Sequence, residues 1–192
     1  MAKVNAITLR SGNVIEYNGK LCVVLKNDIQ QPGKGASVAQ IEMRDIRTGN
    51  KDNVRFRTQE TVERVRLEQT NHQFLYFAGD DIILMNSETY DQITVTKEDM
   101  GAQSNYLQDG MIVEVETYEG EPLGFKLPDR IVMEIVEAEP VVKGQTATTS
   151  YKPAILENGE KVMVPPHVES GIKILIKLED GVGTYVERYK GD

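Results

Sequence analysis

The sequence predicts an all-β protein built as three small β-barrels in a row. Three observations carry this. Apolar and polar residues alternate through short runs bounded by Gly, Asn, Asp and Pro. No stretch keeps a helical period for more than about one turn. The second and third parts of the chain also match each other at a fixed offset, as an internal repeat does.

Residues 1–65 form the first expected domain. Val14–Tyr17 and Leu21–Lys26 flank Asn18-Gly19, the strongest short hairpin signal in the chain. Val38–Ile46 reads as a long strand ending at Thr48-Gly49-Asn50, and Val54–Arg57 alternates apolar with basic. Four or five short strands in this length point to a small barrel of the SH3/KOW-like kind. Between its second and third strands lies Gln31-Pro32-Gly33-Lys34-Gly35, a lysine held between two glycines behind a proline. The expected result is a hairpin tip that presents one long cation. Pro32 fixes its own φ, and Gly33 and Gly35 open backbone angles closed to other residues.

Residues 66–129 form the second domain. It opens with Val62–Phe74, turns at Gly79-Asp80-Asp81 and continues through Ile82–Met85 and Ile93–Val95. Thr96 precedes acids in a way that predicts a single capped helical turn ending near Gly101. Met111–Thr117 and Pro122–Leu127 complete a five-stranded OB-type barrel. Residues 130–192 repeat the pattern with Ile131–Val136, Pro153–Leu156, Lys161–Val164, Ile172–Leu178 and Thr184–Tyr189. Gly110 and Gly171, Gly120 and Gly181, and Tyr90 and Tyr151 are each 61 positions apart (171 less 110, for example). Two OB-fold barrels of one type are therefore expected.

Composition narrows the function classes. The net charge is −8, yet residues 1–66 hold 12 Lys and Arg against 7 Asp and Glu. Residues 67–130 hold 3 against 13, and residues 131–192 hold 7 against 10. One basic domain suited to a polyanion precedes two acidic ones. Arg44, Arg47, Arg55, Arg57, Arg64 and Arg66 crowd its later strands, where alternation puts some of them on one solvent face open to phosphates. Cys22 is the single cysteine and is expected to be a buried, inert thiol. The apolar runs are far short of the ~20 residues a membrane helix needs, and the N-terminus lacks the apolar core of a secretion signal. A cytoplasmic protein is expected.

The chemistry of an active site is missing from the residue inventory. His72 and His167 have no partner at metal-ligand spacing, and each is expected to be a surface or half-buried residue. Gly33-Lys34-Gly35 lacks the spacing of a P-loop. Glu114 and Glu116 alternate onto one solvent face, as a solvated strand does, and there is no G-x-S-x-G. Tyr106, Tyr118, Tyr185 and Tyr189 could stack on bases, but packing is the commoner role of a strand tyrosine. No catalytic residue, metal site or cofactor is expected.

Pro32-Gly33-Lys34-Gly35, inside a basic barrel followed by two OB-like barrels, resembles bacterial elongation factor P. Leu75-Tyr76, Met85–Tyr90, Val141–Ala147, Lys152-Pro153-Ala154, Val162–Pro165 and Tyr185–Arg188 fit the same family, and the likeness covers essentially the whole chain. The resemblance implies a translation factor that binds the 70S ribosome between the peptidyl-tRNA and exit sites. It implies relief of stalling at consecutive prolines through faster peptide-bond formation. The first barrel would lie along peptidyl-tRNA and ribosomal RNA, with Lys34 reaching the peptidyl-transferase centre. Lys34 would be a target for covalent β-lysyl extension by a lysyl-tRNA-synthetase-like enzyme. Gly144, Gln145 and Thr146 would face the small subunit and the exit-site codon, and Tyr185 and Arg188 match terminal residues of functional weight. Gln145 departs from the acidic residue that many members carry there. A monomer without membrane association is expected. The competing readings are a general single-stranded nucleic-acid-binding OB protein, indifferent to Lys34, and a divergent paralogue of the factor. An enzyme built on the acidic middle domain is a third, which the residue inventory disfavours.

Overall fold

The structure is a computed structural model, and it describes residues 2–141 and 150–191. Gly144, Gln145 and Thr146 lie outside the described residues. The described chain is all-β, as the alternation predicts, and it divides into two compact units. One comprises residues 1–69 with 116–123, the other residues 70–115 with 124–192.

The first sheet contains β1 (Ala2–Asn5), β2 (Val14–Tyr17), β3 (Lys20–Gln30), β4 (Val38–Asp45), β5 (Lys51–Arg57) and β6 (Thr61–Val65). Their order is β1-β6-β2-β3-β4-β5, and a 3-10 turn at Ala6–Thr8 follows β1. Asn18 and Gly19 take φ of 49° and 75°, as a type I′ turn demands, and leave Tyr17 opposite Lys20. Ile15, Cys22, Val24, Ala39, Ile41, Met43 and Phe56 fill the interior, and Tyr17 meets Phe56 edge-on at 5.8 Å between centroids.

Two of these strands depart from expectation. The run Val62–Phe74 was expected to open the second domain as one stretch, but it splits at Arg66-Leu67. Thr61–Val65 pairs instead with β1 and β2 of the first sheet. Val65-Arg66-Leu67 alternates across the split, so periodicity there could not reveal that the partners change. β1 was not anticipated because only Val4 in it is even half-buried.

The second sheet comprises β7 (Glu68–Ala78), β8 (Asp81–Asn86), β9 (Gln92–Thr96), β10 (Ile112–Tyr118) and β11 (Glu121–Lys126). The third comprises β12 (Arg130–Ala138), β13 (Lys152–Leu156), β14 (Lys161–Val164), β15 (Lys173–Glu179) and β16 (Val182–Arg188). Their orders, β11-β10-β7-β8-β9 and β16-β15-β12-β13-β14, are the same wiring used twice. The repeat extends to single hydrogen bonds. Phe74 N donates to Met111 O at 2.8 Å, and 61 positions on, Ile135 N donates to Ile172 O at 2.9 Å. Gly110 N donates to Phe74 O at 3.2 Å, and Gly171 N to Ile135 O at 2.7 Å. The predicted helical turn is α1 (Lys97–Met100), capped by Asp99 N donating to Thr96 Oγ1 at 3.0 Å.

These two sheets share one continuous core in the second unit. Phe74, Ile82, Leu84 and Val113 join Ile131, Met133, Ile135, Leu156, Ile174 and Ile176 in it. A 3-10 turn at Ala102–Tyr106 braces the junction. Tyr106 is 2% exposed, and its hydroxyl accepts from Gly183 N at 3.2 Å. Burial pushes the Tyr106 phenol up, with the Gly183 N–H opposing. Gln108 Nε2 donates to Val132 O at 2.7 Å, and Asn158 Nδ2 to Asn105 O at 2.9 Å. Tyr106 is therefore a packing residue. His72 was expected to be a surface or half-buried residue and is instead buried, with Nδ1 3.4 Å from Thr70 O.

Candidate functional site: the Lys34 hairpin and its cationic face

β3 and β4 pair out to Gln30 opposite Val38, which leaves residues 31–37 as the connecting loop. The last buried side chain on β3 is Val24 and the first on β4 is Ala39, so the hairpin outruns the core. All residues from 28 to 36 are exposed. The two glycines at the tip differ. Gly35 sits at φ +137°, in a region that L side chains rarely adopt, so its backbone requires glycine. Gly33 has no such φ, and a Cβ there would meet nothing within 4 Å. Its conformation does not require glycine. No ion pair among the described residues involves Lys34. The tip is a bare cation on an arm.

Pairing register decides which charges flank that arm. Directly opposed residues in an antiparallel ladder share a face. Arg57 opposes Val38, Arg55 opposes Gln40, and Arg44 opposes Lys51, so these side chains lie on the outward face of β4 and β5. On β3, Lys26 opposes Glu42 and Asp28 opposes Gln40, extending the same face. Five exposed cations (Lys26, Arg44, Lys51, Arg55, Arg57) thus share it with two acids, Asp28 and Glu42. Lys51 Nζ is 3.8 Å from Glu42 Oε1. Arg55 and Arg57 stand nearest the tip along the ladder and carry no ion pair among the described residues. A row of guanidinium groups spaced by a strand pleat suits successive phosphates.

Arg47 stands apart from Arg44, Arg55 and Arg57. It lies in the turn after β4, with Nη2 3.7 Å from Glu121 Oε2. That turn is held by Asp45, whose Oδ1 accepts from Arg47 N at 2.8 Å and Thr48 N at 3.3 Å. The Arg47 N–H holds the Asp45 carboxyl below the usual carboxylate range, aided by Thr48 and against the effect of burial. Near this end of the unit, Tyr17, Lys20, Cys22, Met43 and Lys51 line a cavity of about 150 Å³. Cys22 stays buried there, and burial raises its thiol pKa, as an inert cysteine requires.

The remaining predicted residues belong to the third sheet. Tyr185 is half-buried on β16 and meets Tyr151 edge-on at 6.3 Å between centroids, while Arg188 is exposed near the strand end. Sequence reading missed Lys26 and Lys51 as members of the cationic face. Strand alternation alone could not link them to the arginines without the register across three strands. It also missed Asn27, a polar residue at an inward position of an otherwise apolar alternation. Asn27 faces inward only because a bulge between Val24 and Lys26 shifts the strand's phase, which alternation in the sequence does not show. Among the described residues no group of three or more His, Cys, Asp or Glu could hold a metal ion. No helix among them is long and apolar enough to cross a membrane.

Three family models match the chain in succession. Residues 5–62 match the elongation factor P (EF-P) KOW-like domain, 67–125 the EF-P OB domain, and 131–188 the elongation factor P C-terminal model. An elongation factor P of Rhodospirillum centenum is 52% identical over 188 residues, covering 98% of this chain and 99% of that protein. Another, of Agrobacterium fabrum, is 52% identical over 190 residues, covering 99% and 100%. Among solved structures, an initiation factor 5A from Methanococcus jannaschii covers 66% of this chain and 92% of its own, with a TM-score of 0.51. At 23% identity that likeness is one of fold. The KOW-like and OB descriptions agree with the barrels expected from the sequence, and the shared wiring of the second and third sheets extends the OB class to the last.

Proposed function

This chain belongs to the elongation factor P family and is a translation elongation factor; from that premise we propose that it acts on the ribosome through Lys34. The observation that carries the reading is the bare tip. A long cation flanked by small residues, on an arm whose last nine positions are all exposed, is shaped to enter a narrow channel. Pro32 removes conformations the tip would otherwise lose on binding, which lowers the ordering cost.

In this reading the factor occupies the space between the peptidyl-tRNA and exit sites of the 70S ribosome. The face bearing Arg44, Arg55 and Arg57 lies against tRNA and ribosomal RNA backbones, where each neutralised phosphate releases counterions. Arg47, ion-paired to Glu121, contributes less. The acidic residues 67–130, with 13 acids against 3 bases, are repelled by phosphate and face protein or solvent. Gly144, Gln145, Thr146, Tyr185 and Arg188 lie toward the small subunit.

Lys34 then orders the end of the peptidyl-tRNA. Holding reactants in line supplies rate without any bond to the protein, since prepaid orientation can be worth several kcal/mol, up to about 7–11 in well-oriented cases. Proline is a poor reactant in peptide-bond formation, so consecutive prolines gain most. A β-lysyl group attached to Lys34 by a lysyl-tRNA-synthetase-like enzyme would lengthen the reach of the tip. The protein itself performs no covalent step.

Lys34→Ala should leave the melting profile unchanged and abolish relief of stalling on a polyproline reporter. Full relief by this variant would overturn the proposal. Peptide mass spectrometry of the protein from its native cell reads whether Lys34 carries an added group.

A further inference from the structure

In the hairpin that carries Lys34, β4 is paired with β5 out to Val38 opposite Arg57, whereas the outer part of β3 is tied to the turn after β1 by one side chain. β3 is bulged between Val24 and Lys26, where its register against β4 shifts. Asn27 is the first inward-facing residue beyond this bulge, opposite the fully buried Ile41. Its Nδ2 lies 3.1 Å from Ala6 O, 3.4 Å from Ile7 O and 2.9 Å from Leu9 O. Two hydrogens thus serve three carbonyls of the turn that follows β1. Its Oδ1 is buried and takes no hydrogen bond. The next inward residue on β3, Ile29, is 43% exposed, so no packing further out on that strand repeats the anchor.

We infer that Asn27 is a positioning residue that sets the aim of Lys34. This rests on the reading that Lys34 acts by orienting a reactant. From Asn27 to Lys34 the chain spans seven residues, at most about 25 Å if fully extended. A tilt of about 5° at the base of an arm of roughly 20 Å moves its end by about 2 Å. Misplacement by about 1 Å can cost on the order of 100-fold in an oriented reaction. Neither an apolar side chain nor an aspartate could donate to the three carbonyls, and an aspartate would repel them.

The aim of the hairpin is read in the free, full-length protein with spin labels at Lys34→Cys and Asn53→Cys, in a Cys22→Ser background. Adding Asn27→Ala or Asn27→Asp should widen the distance distribution at least about twofold. An unchanged distribution overturns the inference. Val62→Ala, a core truncation in the same unit, should leave the distribution narrow, and equal widening there would show general loosening and overturn the inference as well.

The second arm uses ribosomes and proteins that retain Lys34. Asn27→Ala should lower the saturating rate of proline–proline bond formation at least about tenfold, on the misplacement argument above, while the half-saturating concentration moves less than about threefold. A saturating rate equal to that of the parent overturns the inference. Lys34→Ala in the same assay separates the two ideas. If it is as fast as the parent, the proposed function fails, and the label distances still decide the role of Asn27.

Discussion

The Lys34 tip and the Tyr106 brace both rely on glycine, for opposite reasons. At the tip, a Cβ on Gly33 would meet nothing within 4 Å, and Gly35 has only Pro32 Cγ at 4.0 Å. At the brace, a Cβ on Gly183 would lie 3.0 Å from both Cε1 and the hydroxyl of Tyr106, and 3.1 Å from Ile176 Cδ1. Gly181, at φ +77°, would place one 3.1 Å from Ala102 Cβ. The first pair leaves room for something outside the chain; the second makes room for the chain itself. Absence of a side chain thus leaves open space at the tip and permits close packing at the brace.

The brace should give the largest stability effect. Tyr106→Ala removes a buried ring and its bond to Gly183 N, and should cost the second unit about 3–5 kcal/mol in chemical denaturation. A loss below about 1 kcal/mol would mean that the shared core does not depend on the ring. Glycine substitution sharpens the contrast next. Gly183→Ala should cost about 1–3 kcal/mol by overpacking against Tyr106. Gly33→Ala should change stability by less than about 0.5 kcal/mol yet impair relief of stalling. Equal stability losses at the two glycines would erase the distinction drawn between them.

The smallest effect is a pH dependence confined to the first unit. The folded-state pKa of Asp45 is lowered, so its stabilising contribution is complete above the unfolded carboxylate value of about 3.9. It is lost as pH falls through the lower folded value. Asp45→Asn should therefore flatten the acid limb of the first unit's stability curve while leaving that of the second unit alone. An unchanged acid limb would remove Asp45 from the account of that turn.

Much of this was legible beforehand where the signal was local. Asn18-Gly19 announced its turn because few residues tolerate positive φ, and Thr96 announced α1 because its hydroxyl is a ready acceptor for an orphan N–H. The offset of 61 was visible from a handful of residues and recurs in matched hydrogen bonds. Lys34 could be singled out because proline and glycine mark a loop wherever they fall. Less legible was anything that depends on which strands pair. Arg47 looked equivalent to Arg44, Arg55 and Arg57, yet it sits in a turn beside Glu121. His72 looked like a surface or half-buried residue and is buried. Val62–Phe74 looked like one strand and serves two sheets.

By itself the sequence determined the class of fold, the repeat and the identity of the tip, since alternation, turn chemistry and motif spacing act between near neighbours. Tertiary structure alone decided that β6 closes the first sheet, that five cations share one face, and that two barrels merge their cores around Tyr106. It also decided that Asn27 ties the Lys34 arm to the turn after β1. Each of these depends on register and contact between residues far apart in the chain, where one step of slip exchanges the two faces of a strand.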